Sequence, residues 1–229
     1  RRRPRHLLRT GARRADRRAA RTSWVELISR AEHVASRNQQ RSQGLLWLVC
    51  VLQRKTVGAG GTGPYVLDVT NPDSFGEANV LFELTEDQYP ELGFITGTPI
   101  IAPGADKRWK IFIGNGYNST KDGSAKAYLG VIDINEEFDR AFKGTSVTKT
   151  KFIATNSTTN NSLSQPALLP NEDGLVVAAY AGDIDSNMWK FNLSSDSPGS
   201  WVVANSGAPL FVAKDASSEA NRQPITASP

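Results

Sequence analysis

Two landmarks recur along this chain at a spacing near sixty residues, and they restrict its fold more than any other feature. An apolar–Asp/Asn–apolar step occurs as Leu67-Asp68-Val69, Ile132-Asp133-Ile134 and Phe191-Asn192-Leu193, at spacings of 65 and 59 residues. A proline followed by small or apolar residues occurs at Pro99, Pro166 and Pro224, at spacings of 67 and 58. Gly114 follows Pro99 by 15 residues, and Gly182 follows Pro166 by 16. Each unit therefore reads as Pro, strand, polar turn, strand ending in Gly, hairpin, strand ending at the Asp/Asn step. A repeat of that length with about four short strands is the signature of a propeller blade. One such sheet cannot bury both of its faces alone, so neighbours must stack on it.

The strand-like runs "PYVLDVT", "WKIFIGN", "AYLGVIDI", "GLVVAAYAG" and "MWKFNL" are rich in β-branched and aromatic residues and are separated by Gly, Asn, Asp, Pro and Ser. No stretch longer than a few turns carries a 3.6-residue apolar stripe; "EANVLFELTEDQYPELG" comes nearest and is broken at Pro90. The expected fold class is all-β, a partial β-propeller of antiparallel blades. Residues 44–229 hold about two complete blades plus parts of flanking ones. A closed propeller needs roughly 4 to 8 blades. Unstacked faces and edges at both ends should predispose the chain to aggregation. The closing "RQPITASP" reads as the first strand of a further blade.

The charge is split along the chain. Up to Lys55 there are 15 Lys+Arg against 3 Asp+Glu, a net of +12; from Thr56 onward there are 12 against 20, a net of −8. Residues 1–43 are expected to be a disordered or mistranslated segment, because arginine dominates there and lysine is absent. The first residue is Arg rather than Met, which fits a processed, cut or incompletely translated chain. A nucleic-acid arm is the competing reading, since arginine forks pair with phosphate. Without aromatic interleaving or a following nucleic-acid fold, no nucleic-acid partner is expected. "GLLWLVCVL" (Gly44 to Leu52) is too short for a transmembrane segment, which needs about 20 apolar residues, and reads as a buried strand.

His6, His33 and Cys50 all lie before Thr56, so residues 56–229 have no imidazole and no thiol. Disulfides, thiolate nucleophiles, ordinary zinc sites and histidine acid–base chemistry are thereby removed from that region. "DIDSN" (Asp183 to Asn187) alternates oxygen side chains, but Met188 stands where a calcium loop needs Gly and Ser194 where it needs Glu, so a tight turn fixed by Asp183 is expected. "NGYNSTKDGSAK" offers Asn115, Asn118 and Asp122 and reads as a long hairpin tip. "GAGGTG" is not followed by a helix, so it does not meet the structural condition for cradling phosphate. Trp109, Trp189 and Trp201 are expected to pack between sheets.

Four long motifs also carry a resemblance, over about residues 57–229. "GAGGTGPYVLDVTNP", "GNGYNSTKDGSAKAYLGVID", "YAGDIDSNMWKFNLSS" and "PLFVAKD…RQPITASP" resemble, in order, the C-terminal β-propeller of the PilY1/PilC family of type IV pilus biogenesis factors and tip adhesins. The resemblance implies a non-enzymatic protein of a Gram-negative bacterium, exported to the periplasm, outer membrane and cell surface at the pilus tip. It implies roles in pilus assembly, retraction control and adhesion, with type IV pilus subunits (minor pilins) and a host or abiotic surface as partners. The fold is also similar to quinoprotein dehydrogenase propellers, which gives the alternative reading of a quinoprotein dehydrogenase fragment. No pyrroloquinoline quinone is expected, because the region has no His, no Cys and an incomplete ring of blades.

In that family the loop before "YAGD" resembles an EF-hand calcium loop with aspartates at positions 1, 3, 5 and 9. Aligned on Tyr180 to Asp183, these positions fall here on Leu169, Asn171, Asp173 and Val177, and Gly174 matches position 6. Asn171 and Asp173 are the candidate metal residues of a degenerate site. Calcium takes 6–8 oxygens, so a loop with one carboxylate and one amide is expected to bind it poorly, and an ordinary hairpin turn is the preferred reading.

Overall fold

In the computed structural model the described residues are 48–52, 63–68, 71, 73, 76–119, 126–143, 147–157, 161–215 and 218–229. The Arg-rich segment 1–43 and Asp122 lie outside them. The chain separates into two units, residues 1–49 with 68–74, and residues 50–67 with 75–229. Few residues of the first are described; in it the Asp73 N–H donates to Asn71 Oδ1 at 3.2 Å.

Strands β1 (Leu48–Leu52), β2 (Pro64–Asp68) and β3 (Val80–Glu83) form one sheet in the order β1-β2-β3. Strands β4 (Ile100–Pro103), β5 (Trp109–Gly114), β6 (Tyr128–Asp133) and β7 (Lys151–Ala154) form a second, in chain order. Strands β8 (Ala167–Pro170), β9 (Val176–Gly182), β10 (Asn187–Asn192) and β11 (Val202–Val203) form a third, with β12 (Phe211–Val212) also paired to β10. A short ribbon follows, β13 (Lys214–Asp215) with β14 (Ser218–Arg222). Asp68, Asp133 and Asn192 end β2, β6 and β10 in three separate sheets, as the repeat predicts. Every paired neighbour whose register is described is antiparallel.

The Asp/Asn step has a local cause. At the end of β10, Asn192 Oδ1 accepts from Ser194 N–H (3.1 Å) and Ser194 Oγ–H (2.7 Å), turning the chain out of the sheet. At the end of β6, Asp133 Oδ1 accepts from Glu136 N–H (2.9 Å) and caps a helix, α1 (Ile134–Lys143). This helix departs from the all-strand expectation. Its apolar positions Ile134, Phe138, Ala141 and Phe142 do follow helical spacing, but over only 10 residues.

The second and third sheets share a core. Phe112, Leu129, Val131 and Ile153 of the second, with Ala102, meet Ala179, Ala181, Trp189 and Phe191 of the third, with Leu168 and Val203. Each large apolar side chain buried there contributes about 1.5–3 kcal/mol relative to exposure. The other face of the second sheet is also covered. Ile111, Ile113 and Ile132 are buried, and the Tyr89 ring lies 5.2 Å from that of Phe152. Covering both faces explains why "WKIFIG" shows no polar alternation. Trp189 and Trp201 are buried as expected, but Trp109 is 41% exposed: it stands at the first position of β5, opposite Pro103, at the rim of the sheet.

The second face of the third sheet is partly exposed: Ala178 and Met188 are buried on it, and Ile225 lies against Gly182. Strand alternation places Leu169, Tyr180, Lys190, Val202 and Phe211 there, and Leu169, Val202 and Phe211 are all about half exposed. The Lys190 ammonium lies 5.7 Å from the Tyr180 ring centroid. The outer edge of this sheet is interrupted. Between β11 and β12, Asn205, Ser206 and Gly207 take successive left-handed φ values of 54°, 55° and 81°. Asn156 Nδ2 donates to the Gly207 carbonyl at 2.7 Å and holds the excursion in place. Residues Gln223 to Pro229 form no strand, contrary to expectation; Ile225 N–H instead donates to the Asp183 carbonyl at 2.9 Å.

Two devices lie where the second and third sheets meet, an ion cluster within the second sheet that reaches Trp201 beside β11 and a close approach at a glycine. The first is an ion cluster: buried Lys110 contacts Asp106 and Asp133, each at 2.7 Å, while Arg108 grips both Asp133 oxygens at 2.6 and 2.7 Å. The Lys110 ammonium also lies 5.4 Å from the Trp201 ring centroid. Burial alone would raise the Asp133 pKa, but hydrogen bonds from Arg108, Lys110 and the Glu136 N–H outweigh it and hold the carboxyl at about 2 rather than 3.8. The second device is a close approach at Gly114, where an added Cβ would meet the Ser164 carbonyl oxygen at 2.1 Å.

Two expected outcomes follow from these devices. Asp133 has a folded pKa below its unfolded one, so its stabilising share is complete above about pH 4 and is lost as pH falls through about 2; the shift corresponds to on the order of 2 kcal/mol. Asp133→Asn should cost about 3–5 kcal/mol at pH 7, because Lys110 is left buried with less compensation, and should flatten the acid limb of Tm against pH. An acid limb unchanged in that variant would exclude the cluster as its source. Gly114→Ala should cost about 1–3 kcal/mol by overpacking, whereas Gly76→Ala, with nothing within 4 Å, should stay within about 0.5 kcal/mol. Equal denaturation midpoints for these two variants would contradict the close approach.

Candidate functional site

The residues singled out as metal candidates sit in the β8–β9 hairpin. Asn171 N–H donates to the Leu175 carbonyl (2.8 Å), and Gly174 N–H donates to the Asn171 carbonyl (3.0 Å). Gly174 takes φ +79°, a left-handed value that favours glycine. The three residues between Asn171 and Leu175 thus make a type I turn followed by a left-handed glycine, a common hairpin form. The Asn171 side chain turns inward on this loop: its Oδ1 accepts from Asp173 N–H (3.1 Å) and Leu175 N–H (2.9 Å). Asn171, Glu172 and Asp173 are exposed.

Tested as a calcium donor set, these residues do not match an EF-hand loop. Positions 1 and 9 are Leu169 and Val177, which carry no side-chain oxygen. The carbonyl at position 7 belongs to Leu175 and already accepts from Asn171, and the Val177 carbonyl accepts from Leu193 N–H at 2.9 Å. Position 12, where the loop needs a bidentate Glu, holds Tyr180. Asp173 is the one aspartate that remains in the register. Among the described residues no group of three or more His, Cys, Asp or Glu is placed to share an ion.

A second loop, between β9 and β10, is built on buried Asp183. Its Oδ1 accepts from Asn187 N–H (2.8 Å); its Oδ2 accepts from Asn161 Nδ2 (2.8 Å), Asn187 Nδ2 (2.9 Å) and Trp189 Nε1 (2.7 Å). Asp183 therefore fixes its turn, as its position in "DIDSN" suggests, and also ties the approach to β8 through Asn161. Four neutral donors thus engage the carboxylate, three of them at Oδ2. Asp185, its partner in sequence, contributes its carbonyl to Arg222 at 3.1 Å.

In the second sheet the matching residue is Asn115, directly after Gly114. Its Oδ1 accepts from Tyr128 N–H (3.0 Å) and Leu163 N–H (3.1 Å), and its Nδ2 donates to the Glu91 (3.2 Å) and Lys126 (2.9 Å) carbonyls. All four positions of this amide are used. Asn115, which the sequence places in a hairpin tip, is thus a structural tie, and Asn118 takes a left-handed φ of 57°. Sequence reading had no signal for the Asn115–Leu163 link, because the partners lie 48 residues apart.

With this geometry in hand, known proteins give the chain a place. The family model described as the PilY1 beta-propeller domain matches residues 37–229. The chain is similar to a type IV pilus biogenesis factor PilY1 homolog of Xylella fastidiosa, at 35% identity over 176 residues, covering 74% of this chain and 12% of that protein. It is similar to the type IV pilus biogenesis factor PilY1 of Pseudomonas aeruginosa (strain UCBPP-PA14), at 34% identity over 195 residues, covering 76% of this chain and 16% of that protein. The crystal structure of the Pseudomonas aeruginosa PilY1 C-terminal domain superposes with a TM-score of 0.60 at 33% identity, over 74% of this chain and 35% of that one. The chain thus spans well under a fifth of the length of these two relatives. A model match running through all three sheets, joined to this identity and this superposition, makes the chain a member of the PilY1 beta-propeller domain family.

Proposed function

We propose that this chain is a non-enzymatic propeller segment of a type IV pilus biogenesis factor that acts in pilus assembly, opposes retraction and serves surface adhesion. The observation that carries the proposal is the match of residues 37–229 to the PilY1 beta-propeller domain, with relatives named as type IV pilus biogenesis factors at about 34–35% identity. The partners proposed are type IV pilus subunits, the minor pilins among them, and a host or abiotic surface. The proposed location is the periplasm, outer membrane and pilus tip of a Gram-negative bacterium. No helix among the described residues is long and apolar enough to cross a membrane.

The non-enzymatic reading is supported by how the buried acids are used. A general base needs a lone pair within hydrogen-bond reach of substrate. Asp133 is gripped by Arg108 and Lys110, Asp183 by four neutral donors, and Glu137 Oε1 accepts from Tyr89 Oη and from Thr150 Oγ1. Each carboxylate is engaged in the fold.

Deletion of the gene in its host should abolish surface pili recoverable by shearing, twitching and attachment, and the intact gene should restore all three. Unchanged piliation and twitching would refute the assembly role, and restored pili without restored attachment would refute the adhesive one. Adding pyrroloquinoline quinone and calcium should give no dye-linked alcohol oxidation; turnover above a heat-inactivated control would overturn the non-enzymatic reading.

A further inference from the structure

We infer that the β8–β9 hairpin is organised by the Asn171 side chain in the place where the loops it resembles use an ion, so that this turn is independent of calcium. The inference rests on the family membership and not on the pilus role.

Position 3 of a calcium loop aims a side-chain oxygen at the ion. Here that oxygen is Asn171 Oδ1, and the N–H groups of Asp173 and Leu175 point at it from 3.1 and 2.9 Å. An amide oxygen has two lone pairs, and both are in use. The two N–H dipoles converge on the oxygen that a cation would have to approach, and present it with positive ends. The Leu175 carbonyl at position 7 is likewise occupied, by Asn171 N–H at 2.8 Å. One residue thus closes two donor positions, through its side chain and through its own backbone.

The same bonds do what an ion would do for the fold. A loop of alternating oxygens without its cation is held open by like-charge repulsion. Asn171 is neutral, and its two accepted N–H bonds link the first residue of the turn to the third and the fifth. Such side-chain-to-backbone turns are the reason Asn is favoured at this position. With Leu169 and Val177 at positions 1 and 9, only Asp173 is left to attract calcium. Sites with several carboxylates in extracellular modules already bind only at about 10⁻⁴–10⁻³ M.

The test uses the full chain and reads Tm in millimolar calcium chloride against EGTA. The unaltered chain should melt within about 1 °C in the two buffers. Asn171→Ala should lower Tm by about 2–4 °C in both, the shift expected for losing about 1 kcal/mol of turn hydrogen bonding in a chain of this size. Asn171→Asp keeps both acceptor positions and should recover most of that loss. A rise of several degrees with calcium that disappears in Asp173→Ala would overturn the inference, and so would an Asn171→Ala variant that melts with the unaltered chain. Neither outcome bears on piliation, so this inference and the pilus role fail separately.

Discussion

The arrangement depends on how closely two stacked sheets approach at the end of a second strand. Gly114 lets the Ser164 backbone come to where a side chain would otherwise stand, and Asn115, the next residue, holds it there by accepting the Leu163 N–H. Gly182 and Asp183 repeat the pair one unit later, with Ile225 against the glycine and its N–H on the Asp183 carbonyl. The glycine supplies the distance and the Asx residue supplies the bond. An apolar core alone fixes neither, because hydrophobic burial has no direction. The shared core and the Lys110–Trp201 contact both require the spacing that this pair sets.

Much of this was legible in the sequence. The Pro, Gly and Asp/Asn landmarks recur because most of them mark a backbone event: entry to a first strand at Pro99 and Pro166, close approach at Gly114 and Gly182, and strand exit at Asp133 and Asn192, while Pro224 leads into no strand. These events need particular residue types, so they leave a trace at fixed intervals. What stayed hidden depends on contacts between distant segments or on short local competition. Helix α1 was hidden because three turns after a strong strand are too few to establish a period, and its cap, Asp133, reads equally well as the end of a strand. Trp109 follows the apolar pattern of β5 but lies at its first residue, where the sheet offers no cover. For Asn171 the sequence showed an oxygen at a ligand position; only the geometry showed that two backbone N–H groups take it.

The polar side chains of the two hairpins serve their own turns. A calcium loop gathers several carboxylates around an ion that can be withdrawn. Here the equivalent work falls to an uncharged amide that travels with the chain. Asp183, although charged, is satisfied from within by two asparagines and a tryptophan. Both hairpins are therefore closed by groups that the fold itself supplies.

The interrupted outer edge of the third sheet decides how this unit can grow. A continuous edge strand offers a row of open N–H and C=O groups to any passing strand. Here that row is cut into two stretches of two residues, Val202–Val203 and Phe211–Val212, by the left-handed excursion through Asn205, Ser206 and Gly207. Another molecule's strand finds too short a template to register. Lateral pairing at this edge is therefore discouraged by the fold itself.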